Sequence, residues 1–121
     1  MTQNNLQLGS YGEDIAANYL ASLGLKVIER NFRKRYGEID IIAKESDTLV
    51  FVEVKTRKTS AFGSPAEAIT PGKLRALIKS AHYYKLLHPQ LPAAMRIDLL
   101  SLVLTENNKV KSLELIKNIT S

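Results

Sequence analysis

The stretch GEIDIIAKESDTLVFVEVKTR, Gly37 to Arg57, limits the possible folds of this chain more than any other segment. Two runs rich in β-branched residues flank Glu45-Ser46-Asp47, a polar turn of hairpin length. The pattern predicts antiparallel strands over 38–44 and 48–56. Side chains alternate faces along a strand. Val50, Val52 and Val54 should share one face of the later strand, and Phe51, Glu53 and Lys55 the other. In the earlier strand Ile39 and Ile41 are expected on one face, opposite Glu38, Asp40 and Ile42.

A two-residue turn at Ser46-Asp47 sets Glu45 against Thr48. Counting back along both strands then sets Asp40 against Glu53 and Glu38 against Lys55. Directly opposed residues have Cβ atoms about 4.5–5.5 Å apart. Two carboxylates that close repel, and at neutral pH they need a proton or a cation between them. Mg²⁺, or Mn²⁺ in its place, suits such a pair, because it takes oxygen ligands and keeps several waters. Lys55, reaching the same pocket, could polarise a water or stabilise charge developing on a phosphate. The competing reading is a solvated strand face, the common condition of antiparallel sheets. The Val- and Phe-rich composition of 48–56, and its central place in the proposed order, weigh against it.

Around the hairpin, residues 9–23 show apolar spacing at three- and four-residue steps (Ile15, Ala16, Tyr19, Leu20, Leu23) and read as a helix closed by Gly24. Lys26 to Arg33 alternates as a strand. A Pro- and Gly-containing loop follows Arg57, with room for a short helical turn. Thr70-Pro71 then opens a second helix with the stripe Leu74, Leu77, Ile78, Ala81 and Tyr84, ending near His88-Pro89. Ala94 to Leu104 is a fourth strand, and Val110 to Ile116 a short edge strand. The helical crossover before the fourth strand lets it run parallel to a neighbour. The expected architecture is α/β, a mixed sheet with helices packed on it.

No linker or repeat interrupts the chain, so residues 1–121 are expected to form one domain. There is no cysteine, which excludes disulfides and cysteine-ligated zinc and fits a reducing compartment. The polar start lacks a signal pattern, and no apolar run approaches a membrane span of roughly 20 residues. A cytoplasmic, soluble protein without a membrane partner is expected. Seventeen Lys and Arg against twelve Asp and Glu favour a polyanion partner such as nucleic acid.

The Asp40…Glu53-Val54-Lys55 spacing, with twelve residues between the carboxylates, resembles the PD-(D/E)xK nuclease motif. The resemblance extends to one family, the YraN-like predicted endonucleases, over Gly9 to Asp98. It rests on Gly12-Glu13 with Ala16 and Leu20, Asn31, Gly37-Glu38-Ile39-Asp40, and the run Phe51 to Arg57. Phe62-Gly63, Lys73 and Arg96-Ile97-Asp98 complete the set. Ile39 stands where the proline of the motif's name would be.

The resemblance implies a restriction-endonuclease-like core, helix-β-β-β-helix-β. It implies that Asp40 and Glu53 ligate a divalent metal with the backbone carbonyl of Val54, and that Lys55 orients the attacking water. Glu13 resembles the helix glutamate that completes the site in archaeal Holliday-junction resolvases. Because related resolvases pair two sites across a junction, the resemblance is compatible with a homodimer.

Several residues carry two readings. Glu13 follows Ser10 by three, which is also a capping box. Glu38 is expected to support Lys55 rather than ligate the metal. Arg30, Arg33, Lys34, Arg35, Arg57 and Lys58, with Tyr36 stacking nearby, could grip phosphates or form a solvated loop face. Lys73, in the first turn of its helix, would suit an anionic partner. Asp98 and Arg96 could simply pair, the histidines lack ligand spacing, and the helix tyrosines and leucines read as core.

The leading expectation is a metal-dependent DNA endonuclease preferring branched or distorted DNA. The alternatives are a non-catalytic nucleic-acid-binding module and an accessory protein that keeps the nuclease fold.

Overall fold

The computed structural model describes residues 5–59 and 69–120, with side chains from residue 9 onward. The elements are α1 (Asn5–Ser22), β1 (Lys26–Lys34), β2 (Gly37–Glu45), β3 (Thr48–Lys58), α2 (Pro71–Leu87), β4 (Ala94–Leu104) and β5 (Val110–Ile116). The strands form one sheet in chain order. Only the β3–β4 pair is parallel; the others are antiparallel. This is the expected α/β mixed sheet, in the helix-β-β-β-helix-β order with the edge strand β5 added. The loop through Phe62-Gly63, and the helical turn considered there, fall outside the described residues. No described helix is long and apolar enough to cross a membrane.

The sheet is buried on both faces. On one side Ala16 and Leu20 of α1 pack with Ile41, Val50, Val52 and Leu102. On the other, Leu77, Ala81 and Tyr84 of α2 pack with Phe32, Ile42, Phe51 and Ile97. Each fully buried aliphatic side chain contributes roughly 1.5–3 kcal/mol. That explains why Val50 and Val52 face one helix and Phe51 the other, and why β3 is apolar until Glu53.

Capping sets where α2 begins. The Thr70 hydroxyl accepts from the Lys73 N–H at 3.1 Å, and Pro71 occupies the first turn. At the far end the His88 N–H donates to the carbonyls of Tyr84 and Lys85. Just past the end of α1, Gly24 has φ +93, and the Leu25 N–H returns to the Leu20 carbonyl at 3.1 Å. Its start differs from expectation. The helix reaches back to Asn5, so Ser10 lies in its interior and cannot be an N-cap. The capping-box reading of Glu13 is thereby removed.

Candidate active site

The β2–β3 ladder starts at Glu45↔Thr48 and stops at Ile41↔Val52. This is the register of a two-residue turn, and Asp40 and Glu53 are the next residues along it. They do not continue the ladder. Instead the Val54 N–H donates to Asp40 Oδ2 at 2.8 Å. The alternation of β2 fails at the same point. Ile41 packs on the α1 side but Ile39 on the α2 side, so the shared face expected for these isoleucines is not found. Across on β1, Asn31 lies between the pairs Arg30↔Ile41 and Phe32↔Ile39. Its φ of +55 is in the left-handed region that asparagine tolerates. Irregular backbone thus stands on both sides of Asp40, where the strands part.

The parting opens a cavity of about 390 Å³ lined by Glu13, Asp40, Glu53, Val54, Lys55 and Lys73, among others. Four elements supply these groups. α1 brings Glu13, and Gly12 makes this possible: a Cβ at position 12 would collide with the Thr56 hydroxyl of β3. β2 brings Asp40, β3 brings Glu53 and Lys55, and the capped first turn of α2 brings Lys73. Among the described residues, the Lys55 ammonium has no hydrogen-bond or ion-pair partner.

Charge in this cavity is out of balance. One carboxylate oxygen each from Glu13, Glu38 and Asp40 lies within 4.8 Å of the others. Burial, then the neighbouring Glu53 carboxylate, pushes the Asp40 carboxyl up to about 7, against the Val54 hydrogen bond. Burial also raises Glu13, against the opposing pull of Arg30, 3.8 Å away, and a hydrogen bond from Asn31. Glu53, with its side chain only 8% exposed, pairs with Lys73 at 2.8 Å. Hard oxygen donors this close, one on a half-buried carboxyl that resists ionising, fit a hard divalent cation.

Other expected residues fall differently. Glu38 does not reach Lys55. It sits opposite Arg33 on β1 and accepts from its Nε at 2.9 Å, because the β1–β2 register pairs these two directly. Lys73 is engaged by Glu53 rather than standing clear at the helix end. Lys34 and Arg35 are exposed at the β1–β2 turn, Lys34 over the Phe32 ring and Arg35 over Tyr36. Arg57 is half-buried on β3, and Lys58 is held by the β4–β5 turn through the Glu106 carbonyl and the Asn108 side chain. Arg96 does pair with Asp98, which is fully buried and also accepts from the Asn118 N–H.

Two contacts had little sequence signal: the Lys73–Glu53 pair, between residues twenty apart, and the bond from Asn31 to Glu13. Asparagine inside a strand was the one local hint of the second.

A family model described as "Uncharacterised protein family UPF0102" matches residues 12–102. The chain is 46% identical over 107 residues to a UPF0102 protein of Syntrophomonas wolfei, covering 88% of this chain and 92% of that protein. It is 43% identical over 115 residues to a UPF0102 protein of Caldicellulosiruptor saccharolyticus, covering 95% and 98%. A UPF0102 protein of Clostridium botulinum is 44% identical over 117 residues, covering 94% of each chain.

Proposed function

The chain belongs to the UPF0102 family, and we propose that it is a metal-dependent DNA endonuclease acting on branched or distorted DNA. The observation that carries this reading is the half-buried Asp40 carboxyl at the end of the β2–β3 ladder. It sits among Glu13, Glu38 and Glu53, with two lysines in the same cavity. Carboxylates alone would repel a phosphate; carboxylates holding a cation, with lysines beside them, attract one.

Asp40 and Glu13 would hold Mg²⁺ or Mn²⁺, joined by Glu53 once Lys73 releases it and by the Val54 carbonyl. The bound cation supplies Lewis acidity to a phosphodiester and lowers the pKa of a water. Lys55 would donate to the attacking water or to the charge gathering on the phosphate oxygens. Lys73, freed from Glu53, would turn to a neighbouring phosphate. The reaction would be hydrolysis: a water oxygen bonds to phosphorus as that water gives up a proton to solvent, the P–O bond to one sugar oxygen breaks, and the sugar oxygen takes up a proton from solvent. Lys34, Arg35 and Arg57, with Arg33 beside Glu38, lie around the β1–β2 turn and along β3. They would supply affinity that does not depend on base sequence. The related reading as a non-catalytic DNA-binding module is favoured by one contact, since Lys73 already neutralises Glu53.

The test is incubation with end-labelled four-way junctions, flaps, single strands and duplexes in Mg²⁺, Mn²⁺ or EDTA. Asp40→Asn and Glu53→Gln would be run alongside. Cleavage that needs metal and disappears in both variants is the expected result. Cleavage surviving in both would sink the proposal, and binding without cleavage in any metal would move the reading to the binding module.

A further inference from the structure

The face of α2 that borders the cavity continues beyond it. Lys73, Ala76, Ser80 and Tyr83 recur at three- and four-residue steps and so share one side of the helix. Lys73 and Ala76 border the recess shared with Glu38, Asp40 and Glu53. One turn on, Ser80 Oγ lies 4.0 Å from where a side chain on Gly37 would begin. Beyond it Tyr83 meets Tyr36, with ring centroids 5.8 Å apart and planes at 85°. There the surface opens into a second hollow of about 330 Å³, lined by Tyr36, Lys79, His82, Tyr83 and Leu86.

This hollow differs from the core beside it. Tyr84, one residue on, is buried between Phe32 and Phe51. Tyr36 is 41% exposed, yet it is held in place by the Tyr83 contact and by the Arg35 guanidinium, 5.5 Å from its ring centroid. Among the described residues, no carboxylate lines the hollow. An exposed, fixed ring among cations complements a flat π-system attached to phosphates.

We propose that this hollow is a nucleobase subsite, in which an unpaired base of a DNA strand stacks on Tyr36 against Tyr83. Arg35 and Lys79 contact the phosphates on either side of that base. The inference rests on the reading of the chain as a DNA-cleaving protein and adds what it selects. Tyr36 precedes Asp40 by four residues, about 13 Å of extended chain. Lys73 precedes Tyr83 by ten residues, about 15 Å of helix. At about 3.4 Å of rise per stacked nucleotide, both paths span about four nucleotides, and fewer once the strand unstacks. The substrate therefore carries an unpaired nucleotide within about four positions of the scissile phosphate. Flaps, gaps and open junctions meet this condition; continuous duplex does not. Stacking makes the subsite tolerant of which base is presented.

The test uses oligonucleotides with 2-aminopurine at single unpaired positions, one to six nucleotides from a duplex end, titrated with intact protein in EDTA. Quenching that peaks within about four positions of the duplex end is expected. Affinity for the unpaired strand should fall roughly tenfold in Tyr36→Ala, as loss of one base–aromatic stack predicts. Tyr36→Phe should match the wild type, and duplex affinity should stay unchanged in both variants. Equal affinities for Tyr36→Ala and Tyr36→Phe, or no quenching at any position, would overturn the subsite. The two readings fail separately. If only the subsite is wrong, flaps are still cleaved in Mg²⁺ while Tyr36→Ala behaves as wild type. If only cleavage is wrong, no product forms in any metal while the Tyr36-dependent quenching persists.

Discussion

Asp40→Asn should make the protein more stable, and only at higher pH. The Asp40 carboxyl titrates near 7 in the folded protein, raised first by burial and then by Glu53. In the unfolded chain it titrates near its ordinary value of about 3.9. A group with the higher value in the folded state favours folding while it is protonated in both states. That advantage is lost as pH rises from about 4 through 7, and above 7 the folded protein carries the full penalty of an ionised, crowded carboxylate. At about 1.36 kcal/mol per pH unit the gap corresponds to about 4 kcal/mol. Water in the open cavity lowers this, so about 2–4 kcal/mol is expected. Asparagine has the shape of the protonated acid and can still accept from the Val54 N–H. The variant should therefore match the wild type at pH 4 and exceed it by about 2–4 kcal/mol at pH 8. For a chain of this size that is on the order of 10 °C in Tm. Urea denaturation at half-unit steps from pH 4 to 9 measures it. Mg²⁺ at pH 8 should recover stability for the wild type, by about 2.7 kcal/mol at a hundred times its Kd, and not for the variant. Parallel stability curves for the two proteins across the whole range would refute the reasoning, because Asp40 would then carry no trapped charge.

Two further perturbations test the frame around that carboxyl. Lys73→Met removes the cation that neutralises Glu53, so divalent-ion affinity should rise several-fold while affinity for DNA falls. Titration calorimetry with Mn²⁺ and fluorescence anisotropy with DNA check the two halves separately, and weaker Mn²⁺ binding would count against a contest between lysine and metal. Gly12→Ala drives a methyl group into the Thr56 hydroxyl and should cost about 1–3 kcal/mol in urea unfolding. Adding Thr56→Ala should restore most of that loss, as expected when one contact couples the two sites.

What could be read from the chain, and what could not, divides along physical lines. The hairpin register, the Thr70-Pro71 start of α2 and the glycine end of α1 depend on residues within a few positions of one another. Each was legible as a period or a cap. The residues that depart from the pattern sit where a distant strand decides. No sequence feature distinguishes Ile39 from Ile41, yet they face opposite helices. The β2–β3 ladder stops between them, beside a left-handed Asn31 on β1.

Extending the β2–β3 count past that stop sets Glu38 against Lys55. The same counting from the turn at Arg35-Tyr36 would have set it opposite Arg33, where it is found. The Ser10-Glu13 spacing had the form of a cap, but the helix runs on toward Asn5 and leaves Glu13 to the cavity. Most of these departures border Asp40. A regular ladder would have carried its carboxyl into an apolar, hydrogen-bonded sheet, where an ionised acid is not tolerated. The break gives that carboxyl a cavity and other acids as neighbours. The place where the strand pattern failed is therefore the place where this fold holds charge, as expected when local rules are broken for a site rather than for stability.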